Sequence, residues 1–366
     1  MVERISGKHV NGATGRLREA ESVAPNKNAA ATGRLREAES VASSEKAPRV
    51  RPAARSAVAH ADRHSAPSNP HSSAGGRLAE RESPAPSKKV IALVYDFDGT
   101  LSPKPMQEYA FLPQLGIKPE EFWAECTRVS RVEQADALIT YMHLMYKKAK
   151  EKGVRIDRAD LVAQGRHVEL YPGVETWFGQ IRAYVSKRAA GSGITLKHYL
   201  VSSGLTEIIE GTKIYKHFAN VFASEYWFEA YDLPFPKRVI TDTGKTQFLF
   251  RINKGIEDLG LSINAHMPED ERPIPFSNFI YFGDGDTDVP SMALLKKNGG
   301  HAIAVHGADE SEAKCVELFK AGRCDFYAAA DYRKGSALWK RTCLLLDRII
   351  ADILVKEEGR GLGAVV

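Results

Sequence analysis

This chain has no apolar stretch of membrane-spanning length. The longest candidate, Leu344 to Val355, is interrupted by Asp347, Arg348 and Asp352, which excludes a bilayer span and leaves an amphipathic closing helix. Its first residues lack a seven-residue apolar region and carry early Glu, so neither a secretory signal nor an organelle transit peptide is expected. Cysteine is scarce. The four present, Cys126, Cys315, Cys324 and Cys343, show no metal-ligand spacing, and their scatter suits reduced thiols in cytoplasm. The net charge of +5 is mild. It favours anionic small molecules and gives no reason to expect a specific nucleic-acid site.

Residues 1–88 have almost no aromatics or apolar runs and are rich in Ala, Ser, Arg, Glu and Pro. Such a segment cannot bury enough surface to offset its ordering entropy and is expected to be a disordered tail. It holds a duplication: Ala13–Ala24 recurs unchanged at Ala31–Ala42, a shift of 31 − 13 = 18 residues. Two copies this polar do not make a solenoid. Duplication in an unconstrained tail is the simpler reading, a recruiting arm the other, with no partner indicated.

The rest is apolar enough for a full core, the whole chain being 43% hydrophobic. Its most informative stretch is Ile91 to Leu101. Ile91 to Tyr95 has the length and β-branched content of a buried strand. Asp96-Phe97-Asp98-Gly99-Thr100 follows directly. Alternation turns Asp96 and Asp98 to one side and Phe97 to the other. Two neighbouring carboxylates repel unless a cation or shared proton compensates them. The pair suits a hard divalent metal plus a carboxylate nucleophile.

Three later segments carry polar motifs, two of them behind a strand and one at the start of a helix. His198 to Val201 leads into Ser202-Ser203-Gly204, hydroxyls and Gly that can donate to phosphate oxygens. Thr243-Gly244-Lys245 precedes a helical pattern of Phe248, Ile252, Ile256 and Leu259. Lys245 at a helix N-terminus opposes the dipole and needs an anion nearby; Lys213 and Lys254 are rivals for its role. Phe279 to Phe282 leads into Gly283-Asp284-Gly285-Asp286-Thr287-Asp288, with Pro290 tolerated at the opening of the next helix. An EF-hand is excluded there, since no Glu stands at the twelfth position and no helix precedes the loop.

In this order the four motifs resemble the signatures of the haloacid-dehalogenase-like (HAD) superfamily, over roughly residues 89–355. The resemblance implies an α/β fold: a doubly wound parallel sheet, Rossmann-like, formed by 89–103 and 171–355. A helical cap at 104–170 would be inserted after the first motif, and 356–366 would be a flexible C-terminus. It implies Mg2+ as cofactor and a small-molecule phosphate ester as substrate. The catalytic residues would be Asp96 as nucleophile, Asp98 as acid and base, and Lys245. Phosphate would be held by Ser202, Ser203, Gly204 and Lys245. The metal would be held by Asp96, Asp98 through its carbonyl, and Asp284. Asp288 would be an outer ligand or orient Lys245, and Asp286 would be solvated. A dehalogenase would lack the carboxylate of Asp98. A phosphotransferase or phosphomutase would share every motif, and a low-activity core with a recruiting tail is the reading from another class. Arg128, Arg131 and Arg166 are cap candidates for the substrate's remote part, His143 and Met145 are expected to pack, and Trp227, Phe228 and Tyr231 belong to an expected hairpin within Phe222–Thr243.

Overall fold

A computed structural model describes residues 89–228, 235–307 and 312–363. The expected disorder and duplication of residues 1–88, and Tyr231, lie outside the described residues. Among the described residues the chain runs β1 (Val90–Tyr95), α1 (Phe111–Leu115), α2 (Pro119–Glu133), α3 (Ala137–Glu151), α4 (Arg158–Gln164), α5 (Val174–Arg188), β2 (Thr195–Leu205), α6 (Thr206–Glu210), β3 (Asn220–Trp227), β4 (Phe235–Arg238), α7 (Lys245–Lys254), β5 (Phe279–Gly283), α8 (Val289–Lys297), β6 (His301–His306), α9 (Ala313–Lys320), β7 (Phe326–Ala329) and α10 (Ala337–Gly363).

The strands form one sheet in the order β4-β3-β2-β1-β5-β6-β7. Every pairing is parallel except β3 with β4, which is antiparallel. The expected parallel sheet therefore gains one antiparallel edge strand, because the hairpin after β3 folds back instead of crossing over. β1 is buried on both faces, as its unbroken apolar run requires. Ile91, Leu93 and Tyr95 enter one core cluster with Trp177 and Phe178 of α5 and Leu346 and Ile349 of α10. Ala92 and Val94 enter the other, with Phe248 and Leu249 of α7, Met292 of α8 and Cys315 of α9. Helices thus cover both faces, and the sheet is doubly wound.

Strand order reverses at β1, whose neighbours are β2 on one side and β5 on the other. Crevices form outside the carboxyl ends of strands at such a switch point. Asp96 directly follows β1 there, and Asp284 directly follows β5.

Helices α1 to α4 fill the connection between β1 and α5, and Phe111, Phe122, Met142 and Leu161 pack into the first cluster. α2 ends where Gln134 adopts a left-handed conformation, φ 51°. α3 restarts behind Asp136, whose carboxylate accepts from the amides of Leu138 and Ile139, a side-chain N-cap. Met145 is buried as expected, but His143 is exposed. α7 is shorter than its apolar spacing suggested. Gly255, φ 66°, closes the helix with the left-handed residue that terminates many helices. Ile256 and Leu259 lie beyond it, and Leu259 is exposed. α10 continues through Gly363, so the expected flexible segment from 356 is helical as far as that residue. All four cysteines are buried and form no disulfide. No described helix is long and apolar enough to cross a membrane.

Candidate active site

The backbone of Asp96 is fixed by its amide, which donates to Phe282 O of β5 at 2.9 Å. The chain then turns tightly: the amides of Thr100, Leu101 and Ser102 all donate to Phe97 O. Phe97 is fully buried, while Asp98 stays partly exposed. Gly99 makes the turn possible. Its φ is +76°, and a Cβ there would stand 2.3 Å from Asp284 Oδ2. No other residue type fits between the two acidic loops. Gly283 makes room within its own loop, because a Cβ there would stand 2.4 Å from Asp288 Oδ2.

Lys245 is the first residue of α7 and wholly buried. Its Nζ lies 2.8 Å from Asp288 Oδ1 and 3.1 Å from Asp96 Oδ2, and donates to Thr287 Oγ1 at 3.3 Å. These carboxylates supply the anion that a cation at a helix N-terminus requires. Burial alone favours the neutral amine, but Asp288 and Asp96 outweigh it and hold Lys245 above its ordinary pKa. The rival lysines are elsewhere: Lys213 pairs with Glu175, and Lys254 donates to the carbonyls of Ile263 and Ala265.

Asp288 is fully buried, and its oxygens are committed. Oδ1 accepts from Lys245 and, at 2.7 Å, from Tyr281 OH; Oδ2 accepts from the amides of Asp284 and Gly285. It holds both the ammonium and the Asp284 loop in place. Asp286 points outward and pairs with Lys314 at 3.1 Å.

Asp96, Asp284 and Asp288 each bring one oxygen to within 4.8 Å of the others. Burial raises Asp96 to about 6, with Lys245 pulling it down and Asp288 pushing it up. Burial, then the charges of Asp96 and Asp288, raises Asp284 to about 8. Asp98 is raised well above its usual range by burial and by Asp96. One ammonium does not neutralise this cluster. A small, hard divalent cation with oxygen ligands suits its charge and donor type, and Asp96 and Asp284 are the two members with oxygens to offer. The Asp98 side chain stands apart, with Oδ1 accepting from the amide of Met106 at 3.0 Å.

Ser202 lies on β2, which extends through Leu205, past the strand end expected at Val201. Parallel pairing sets Tyr95 opposite Leu200, so Ser202 reaches the same carboxyl end as Asp96. It is buried, and its Oγ accepts from the Gly204 amide at 3.0 Å. Ser203 Oγ turns away to donate to Ile240 O at 2.9 Å. A Cβ on Gly204 would stand 3.2 Å from Asp98 Oδ2, so this segment faces the acid directly.

No protein-family model matches the chain. An uncharacterized protein of Borreliella burgdorferi is 29% identical over 277 residues, 69% of this chain and 95% of that protein. Among solved structures, the fold is similar to that of a HAD family hydrolase from Salmonella enterica serovar Typhi, with TM-score 0.43 and 17% identity over 67% of this chain and 68% of the other. It is also similar to a probable phosphoserine phosphatase from Vibrio cholerae, with TM-score 0.45 and 15% identity over 75% and 68%.

The remaining candidates lie outside this constellation. Arg128, Arg131 and Arg166 are exposed. The expected hairpin forms from β3 and β4; Trp227 is 51% exposed, and Phe228 packs against the first cluster with its ring 5.9 Å from Tyr226. Tyr281 and Met106 are contacts that the sequence does not announce. Tyr281 looks like one more apolar residue of β5, and nothing in the local pattern marks Met106.

Proposed function

We propose that this chain is a hydrolase of the haloacid-dehalogenase type that releases phosphate from a small-molecule phosphomonoester with Mg2+. The observation that carries this reading is the contact of a buried ammonium with the first aspartate, 3.1 Å from Lys245 Nζ to Asp96 Oδ2, beside a second acidic loop and a hydroxyl-bearing strand end. A phosphate dianion needs cationic charge in front of it, a nucleophile in line and an acid at the leaving oxygen. Asp96 attacks phosphorus, forming an aspartyl-phosphate as the bond to the alcohol oxygen breaks. Asp98 gives its proton to that oxygen and then takes one from the water that hydrolyses the acyl phosphate. Its raised pKa keeps the proton available. Lys245 and the Ser202 hydroxyl hold the equatorial oxygens as charge builds. Asp96, Asp284 and the Asp98 carbonyl would hold Mg2+, which would supply neutralising charge there.

The direct test is phosphate release from a panel of phosphomonoesters with Mg2+ and with EDTA. Release is expected with the metal and none with the chelator. Failure on every ester under both conditions removes the hydrolase reading.

The metal has a second signature that does not depend on turnover. Folded, metal-free protein keeps protons on Asp96 and Asp284 that the unfolded chain loses above about pH 4. Their stabilising contribution is whole below that pH and is lost as pH rises through the folded values near 6 and 8. Mg2+ competes with those protons. Its addition is expected to raise Tm more at about pH 8 than at about pH 5.5, and equal gains at both would contradict the assignment.

A further inference from the structure

The segment that carries Ser202 is not held by its own sheet. Val201 pairs with Phe222 of β3, and the next pair is Leu205 with Ser224. β2 advances 205 − 201 = 4 residues while β3 advances 224 − 222 = 2, so Ser202 to Gly204 bulge out of the ladder. Buried backbone groups outside a ladder need other partners.

The helical insertion provides two of them. Tyr141 OH, on α3, donates to Ser203 O at 3.0 Å. Met106 Sδ, ahead of α1, accepts from the Leu205 amide at 3.2 Å. Both side chains are buried. Met106 also fills the space in front of Gly204, where a Cβ would stand 2.1 Å from its Cε. The Tyr141 ring meets Trp123 edge-on at 6.1 Å, and the Trp123 indole donates to Glu108 at 2.7 Å. The bulge is therefore clamped from the insertion at two points that flank Gly204.

We propose that Tyr141 and Met106 are positioning residues for the phosphate group, acting through the Ser202–Gly204 bulge and the Leu205 amide that closes it; the proposal rests on the phosphohydrolase reading above. Docking of the insertion and binding of phosphate are then coupled, each strengthening the other by the same factor. The coupling acts on the phosphate itself. It is felt equally by every ester, whatever its alcohol, and by inorganic phosphate.

The test measures binding of inorganic phosphate to the full-length protein in Mg2+, by calorimetry and by competitive inhibition, beside KM and kcat for several esters. Tyr141→Phe removes the hydroxyl, with its bond to Ser203 O and its hydrogen bond with the Ser224 side chain, and keeps the ring. It is expected to weaken inorganic phosphate and raise KM about fivefold for all esters alike, with kcat little changed, the mark of lost uniform binding. Met106→Leu is expected to act in the same direction but less, since a thioether is a weak acceptor. Lys147→Ala, on the exposed side of α3, should leave all constants unchanged. A purely structural role would lower Tm without moving the phosphate constant of the folded protein. Unchanged phosphate affinity in both variants, with an active wild type, would overturn the proposal and leave the hydrolase reading standing. A wild type that neither binds nor releases phosphate would overturn both.

Discussion

Replacing Asp96 by Asn is expected to reduce phosphate release by ~10^4-fold or more, the scale on which nucleophile removal acts, while the protein stays folded. The amide has the carboxylate's size but lacks its negative, nucleophilic oxygen. The backbone at this position is held by the bond from the Asp96 amide to Phe282 O, which the substitution leaves in place. Electrostatics favour the variant's stability. Asp96 is one of the charges that push Asp284 and Asp98 upward, so neutralising it relieves both. The cost is one partner of Lys245, which keeps Asp288 at 2.8 Å. Steady-state phosphate release and a thermal melt without metal at about pH 8 check the two halves. Activity near the wild-type level would remove Asp96 from the chemistry. A collapsed melt would mean that its ion pair with Lys245 is needed for folding.

Gly211→Ala is expected to be the most damaging of the small substitutions to stability. Where α4 meets α6 the two backbones touch. A Cβ on Gly211 would stand 1.8 Å from Val162 O and 3.0 Å from Gly165 Cα, and one on Gly165 would stand 2.2 Å from Ile208 O. No flexible side chain is available to give way, so the two backbones must part. Ordinary overpacking costs about 1–3 kcal/mol, and this contact should reach the upper end. The corresponding drop in Tm is roughly 6–12 °C for a domain of this size. Gly179→Ala, on the exposed side of α5 with nothing within 4 Å of its added Cβ, is the contrast. There the gain in helix preference should stabilise by about 0.5–1 kcal/mol. Calorimetry on both variants decides it, and equal melting temperatures would refute the close approach.

Both variants show what was readable from the chain and what was not. Asp96, Lys245, Asp284 and Asp288 each stand at the end of a short apolar run or the start of a helix, and sequence order alone displays that punctuation. Their convergence follows from the doubly wound sheet, which brings such ends to one edge. Nothing in the local sequence marks Gly165 and Gly211, because their contact joins segments far apart in the chain. Nothing in the local pattern marks Tyr141, and its hydroxyl matters only because Ser203 has left the ladder. The Phe248 spacing predicts a longer helix than forms, since the left-handed turn at Gly255 overrides the apolar spacing at Ile256 and Leu259. The antiparallel β4 was foreseen as part of a hairpin, although its membership of the main sheet was not.

The ends of that sheet have a consequence for how the protein behaves at high concentration. Both border strands, β4 and β7, are only four residues long. β4 also carries Pro236, Lys237 and Arg238. Proline withholds a donor, and basic side chains repel a second copy approaching edge to edge. The β4 border, short and charged, is a poor template for further strands, while β7 relies on its length alone. Self-association by sheet extension is opposed most strongly at the β4 edge, and the apolar interior strands stay safe as long as the fold is intact.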